Sequence, residues 1–174
     1  MRTEIFWVQA GTLAVTPGTP TLAGSYPIRM NQLASAYLTG LQATWEEFLI
    51  RCVEFEVISV GGTNPAGSSG WPGLVKFYLD EDDGTAPTAT SSLSHMGPVL
   101  NRTAKGTRDR IHVRWEARDT EDLNWKNIQS DTNVIVGYLK YYSDATNWAS
   151  GAGGGVDFIV VPRFCIQVRN QGGV

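Results

Sequence analysis

Hydrophobic and polar positions alternate with a period of two along most of the chain. The clearest run is Arg51 to Val60, where Val53, Phe55 and Val57 alternate with Cys52, Glu54 and Glu56, the pattern of a half-buried strand. Similar runs at Glu4 to Gln9, Leu74 to Leu79, Arg110 to Ala117, Val134 to Tyr142 and Val156 to Arg169 predict further strands. In the last of these Phe158, Val160, Phe164, Ile166 and Val168 share one face, with Arg163, Gln167 and Arg169 on the other. Pro162 falls on the apolar face and cannot donate a ladder hydrogen bond, which predicts an edge strand or a bulge there. Helical spacing is confined to Asn31 to Thr44, with Asn31 as N-cap, and Pro87 to Met96, opened by its proline. The tract Ser150 to Gly155 predicts a hairpin loop, because no helix follows it to hold a phosphate. An all-β chain with at least six strands and two minor helices implies a sandwich or barrel, with residues 1–174 as a single domain.

Composition narrows the class. Of 174 residues, 42% are hydrophobic and 18% charged, enough to bury a self-sufficient core and too apolar for intrinsic disorder. No apolar run approaches the ~20 residues of a membrane-spanning helix, so no membrane partner is expected, and the residues from Met1 to Trp7 do not read as a secretory signal. Cys52 and Cys165 are too few for a four-cysteine zinc site and read as small core or interface residues.

The net charge of −3, from 14 Lys and Arg against 17 Asp and Glu, is unevenly spread. Arg102 to Arg118 holds six cations and two carboxylates, +4 locally, which leaves −7 elsewhere. Arg102, Lys105, Arg108 and Arg110 are the candidates for phosphate contact; without interleaved aromatics, base stacking is not implied. The acidic cluster Asp80-Glu81-Asp82-Asp83 closes a strand, and crowded carboxylates suit a hard cation, calcium first. It lacks EF-hand spacing, so a solvated turn is the alternative. Trp71 and Trp148, in Gly-rich segments, are candidates for a subunit interface or a ligand platform. No catalytic constellation stands out, and a hydrolase using His95 or His112 ranks last.

The segment Ala36-Tyr37-Leu38-Thr39-Gly40-Leu41-Gln42-Ala43-Thr44-Trp45-Glu46-Glu47-Phe48, running into the strand through Val60, resembles a small icosahedral virus capsid protein. The shell domains of tombusvirus-like, sobemovirus-like and satellite-virus coats carry a short helix, an aromatic-acidic stretch and then a strand. The resemblance continues through Gly73 to Asp83 with Pro87-Thr88, through Val113-Arg114-Trp115, Trp125 and Gly137 to Tyr142, and to the closing strand. It covers residues 31 to 169, and order and spacing carry it. It implies an eight-stranded jelly-roll β-sandwich with short helices in the inter-strand loops, a structural rather than enzymatic role, and self-assembly into an icosahedral virion shell in the host cytoplasm or nucleus. It also implies a packaged genome, with single-stranded RNA favoured because the likeness is to RNA viruses. Asp80 and Asp83 match that family's calcium pair at a subunit interface, with Asp82 an added candidate in the same turn. The run from Met1 carries one arginine where such coats have an Arg-rich arm, so genome contacts would fall to Arg102, Lys105, Arg108 and Arg110. The alternative reading is a calcium-assisted carbohydrate-binding jelly-roll module with Trp71 or Trp148 as its platform.

Overall fold

The computed structural model describes residues 2–15, 22–59, 74–88, 97, 99–101, 110–143 and 158–170. Along these segments run β1 (Arg2–Gln9), β2 (Leu13–Val15), β3 (Leu22–Pro27), α1 (Ser35–Thr44), β4 (Glu47–Ser59), β5 (Leu74–Asp80), β6 (Val99–Asn101), β7 (Arg110–Glu116), β8 (Lys126–Asn127), β9 (Tyr138–Ser143) and β10 (Phe158–Asn170). They form two antiparallel sheets. The first has the order β1-β10-β4-β7, with β2 on β10 and β8 on β4, and the second has the order β3-β9-β5-β6. With the short β2 and β8 set aside, eight strands divide four and four, and the chain crosses repeatedly between the sheets. This is the jelly roll that the sequence led us to expect.

The inward faces explain why these residues form these strands. Val53, Phe55 and Val57 of β4 and Phe158, Val160, Phe164, Ile166 and Val168 of β10 are fully buried, so period-two alternation turns one face of each strand into the core. Two edge-to-face aromatic pairs join the sheets: Tyr26 of β3 with Phe55 of β4, at 5.8 Å and 81°, and Phe77 of β5 with Phe158 of β10, at 6.2 Å and 77°. Both lie in the range where ring quadrupoles attract. In the second sheet Gly24 sits opposite Tyr141, and a Cβ at Gly24 would fall 2.1 Å from the tyrosine hydroxyl. Only glycine leaves room for that ring.

Three expectations are corrected. Pro162 lies on neither an edge nor a bulge: β10 is central, between β1 and β4, and its irregularity falls between Cys165 and Ile166. Its tolerance has another cause. β1 ends at the Arg163 partner Gln9 and β2 begins opposite Val160, so the missing N–H faces a break in the neighbouring strand, where the Pro162 carbonyl still accepts from the Ala10 N–H at 3.0 Å. Second, Asn31 is not an N-cap. It lies in a 3-10 turn, Met30–Gln32, with its side chain bonded to Asn133, and the extended Leu33 (φ −67°, ψ 152°) separates that turn from α1, which starts after Ala34. Third, residues 134–137 are irregular and the strand begins at Tyr138. For the second predicted helix, residues 87–88 are irregular and 89–96 lie outside the described residues.

Candidate functional site

The acidic turn grows directly out of β5. Asp80 is the last residue of that strand, paired opposite Tyr138 of β9, and Lys140 of β9 is paired opposite Tyr78 of β5. Alternation puts Asp80 and Lys140 on the same outward face as diagonal neighbours. The chain then bends back, so that Asp83 returns over β9. Gly84 permits this approach, since a Cβ there would lie 2.8 Å from the Tyr138 hydroxyl.

Asp80 and Asp83 are thereby brought together around the Lys140 ammonium. Lys140 Nζ lies 2.9 Å from Asp80 Oδ2 and 3.3 Å from Asp83 Oδ2, and the lysine side chain is 3% exposed. The other carboxylate oxygens take backbone donors. Asp80 Oδ1 accepts from the N–H groups of Asp82 and Asp83 at 3.1 and 3.2 Å, and Asp83 Oδ1 accepts from Thr85 N–H at 2.8 Å. Burial pushes the Asp80 carboxyl up, but the hydrogen bonds from Lys140 and from the N–H groups of Asp83 and Asp82 outweigh it, so the group titrates below its ordinary value. Hydrogen bonds from Thr85, then from Lys140, take Asp83 down to about 2. For Lys140, desolvation pulls downward and is overcome by Asp80 and Asp83, leaving the ammonium favoured beyond its usual range. Asp82 and Glu81 remain exposed. Among the described residues, no three or more His, Cys, Asp or Glu side chains are grouped to hold a metal ion.

Of the phosphate-contact candidates, Arg102, Lys105 and Arg108 lie outside the described residues. Arg110 opens β7 and its guanidinium rests on Glu56 at 2.6 Å. Its neighbour Arg114 bridges Glu54 at 3.0 Å and Glu116 at 2.7 Å. Such exposed pairs contribute at most about 1 kcal/mol each, but they neutralise the outward face of β4 and β7. Glu54 and Glu56 come from a distant stretch of sequence, so a local charge count, which includes only Glu116, could not reveal their part in this. Trp71 and Trp148 also lie outside the described residues. Ile5 and Trp7 stand 54% exposed on the outward face of the edge strand β1. Their signal in the sequence was weak because Phe6 and Val8 make the other face of β1 apolar as well.

An open cavity of about 600 Å³ beside the acidic turn is lined by, among others, Asp80, Asp82, His112, Arg114 and Glu116. Its described lining includes no Ser, Thr or Cys, so it offers no hydroxyl or thiol nucleophile of the usual kind. His95 lies outside the described residues. Cys52 and Cys165 are free and buried, facing each other across β4 and β10.

No protein-family model matches the chain, and no curated protein matches it. Solved structures do. A structure of Desmodium yellow mottle tymovirus superposes with a TM-score of 0.59 at 17% identity, over 99% of this chain and 91% of that one. The fold is that of the viral capsid jelly roll. A structure of tobacco necrosis virus gives 0.59 at 14% identity over 97% and 96% of the two chains. The capsid protein of BFDV, solved as a decamer, gives 0.57 at 12% over 97% and 100%. Coverage near completeness on both sides means that the capsid jelly roll accounts for nearly all of each chain.

Proposed function

We propose that this chain is a viral coat protein, many copies of which assemble into a closed icosahedral shell around a nucleic-acid genome. The observation that carries the proposal is the pair of four-stranded sheets, β1-β10-β4-β7 and β3-β9-β5-β6, matched along nearly the whole chain by structures of plant viruses and a capsid protein. The site chemistry supports a structural part: the conspicuous charged groups are bonded to one another, and the described cavity lining has no Ser, Thr or Cys beside His112.

RNA is the genome we propose, and the virion is the place where the chain resides. With Arg110 engaged by Glu56, Arg102, Lys105 and Arg108 are the members of the basic stretch we assign to phosphate. Three phosphate contacts would give each subunit a salt slope of only about −2 for single strands. Nothing among the described residues favours the carbohydrate-binding reading. Sedimentation of the purified protein, with absorbance at nucleic-acid and protein wavelengths, tests the proposal. Fast-sedimenting particles support it, and RNA in the same fractions supports packaging. A persistent 19.0 kDa monomer under all ionic conditions would overturn it.

A further inference from the structure

The coat-protein resemblance puts calcium between Asp80 and Asp83, and the residues present do not fit it. Calcium requires six to eight oxygens at about 2.3–2.6 Å. Here one oxygen of each carboxylate is taken by turn N–H groups, and the two oxygens that converge, both Oδ2, converge on an ammonium at 2.9 and 3.3 Å. A divalent ion at that point would stand beside a fixed positive charge in a partly desolvated place.

We propose that Lys140 is the resident counter-ion of the acidic turn, standing where the resemblance puts calcium, so that the turn closes onto the β3-β9-β5-β6 sheet without any divalent cation. Position supports this. Lys140 is held between β3 and β5, opposite Ser25 and Tyr78, so its backbone is fixed on both sides and its ammonium cannot swing to water without abandoning Asp80, whose side chain is 14% exposed. The lysine also arrives from β9, some 60 residues along the chain from Asp80. It therefore ties the end of β5 to the centre of its sheet, as a bridging ion would. The two remaining carboxylates, Glu81 and Asp82, are exposed and leave water to do the rest of the solvation.

Thermal unfolding of the subunit near neutral pH, in calcium chloride and in EGTA, tests the proposal without requiring assembly. A cation present at 100 times its dissociation constant would raise the midpoint by about 5–10 °C. The wild type should show no such shift, and terbium, used as a luminescent calcium probe, should not bind at the turn. Lys140→Met should lower the midpoint by about 10 °C, because it strands a partly buried carboxylate, and adding Asp80→Asn to Lys140→Met should recover part of the loss. Calcium stabilisation of the wild type, a Lys140→Met variant as stable as wild type, or a double variant no better than the single would each overturn the proposal. If Lys140→Met does not fold, the wild-type calcium and terbium measurements, repeated on assembled particles where neighbouring subunits meet, decide. A second arm rests on the shell reading: particles should keep their sedimentation in EGTA. Absence of particles would count against that reading alone, since the subunit experiment stands apart from it.

Discussion

Truncation of Phe55 to alanine probes the join between the two sheets. Its ring is fully buried at the middle of β4 and meets Tyr26 of the opposite sheet edge-to-face at 5.8 Å. Removing a buried phenyl ring costs about 3–5 kcal/mol, transfer and cavity together, of which about 0.5–1.5 kcal/mol belongs to the aromatic pairing itself. A domain of this size loses about 2–4 °C per kcal/mol, so the midpoint should fall by roughly 6–20 °C. The assay is denaturant unfolding of dissociated subunits followed by tryptophan fluorescence, for Phe55→Ala, Tyr26→Ala and the double variant. Residues in contact couple by about 0.5–3 kcal/mol, so the double variant should lose less than the sum of the singles. A loss below about 1 kcal/mol for Phe55→Ala, or additivity within about 0.3 kcal/mol, would refute this account of how the sheets are held together.

The remaining predictions concern titration and thiols. Asp80 and Asp83 have depressed carboxyl pKa values in the fold, so their stabilisation is complete above the ordinary carboxylate value of about 4 and is lost as pH falls through the lowered folded values, about 2 for Asp83; acid unfolding curves of wild type and Asp83→Asn should converge there. At the alkaline end, burial, opposed by Arg29, lifts the Tyr26 hydroxyl to about 12, and the favoured charge of Lys140 acts in the same direction. Stability should hold below about pH 10 and decline as pH rises through those folded values, more shallowly in Tyr26→Phe. Burial, then the neighbouring Cys165, raises the Cys52 thiol to about 11; at pH 8 its thiolate fraction is of order one in a thousand. With both cysteines buried, iodoacetamide should leave the native protein unlabelled and modify both in denaturant.

Much of the fold was legible in the sequence because the core strands obey one rule. In β10, and in β4 from Val53 to Val57, residues of one parity are apolar and buried; the parity of β4 changes at the register shift beside Cys52, so that Phe48 and Ile50 face the core instead. β3 was not legible. Leu22-Ala-Gly-Ser-Tyr-Pro27 offers little alternation, and Gly24, which weakens the strand signal, is required by the Tyr141 ring that covers it. Pro162 was misread because its consequence depends on where the neighbouring strand breaks, a fact carried by residues 10–12 and not by β10. The acidic turn was found, but its partner was missed for the same kind of reason. Lys140 lies on the outward face of β9, where a lysine is ordinarily solvated, and only the return of residues 81–84 over that face buries it. In the same way Glu56 and Glu54, which engage Arg110 and Arg114 from β4, become their neighbours only through the register of β4 on β7.

The central claim is self-assembly, and negative-stain electron microscopy of the purified full chain tests it most directly. The account predicts uniform, closed, spherical particles, present in calcium and undiminished in EGTA. Discrete monomers in every ionic condition, with the subunit folded by circular dichroism, would contradict it.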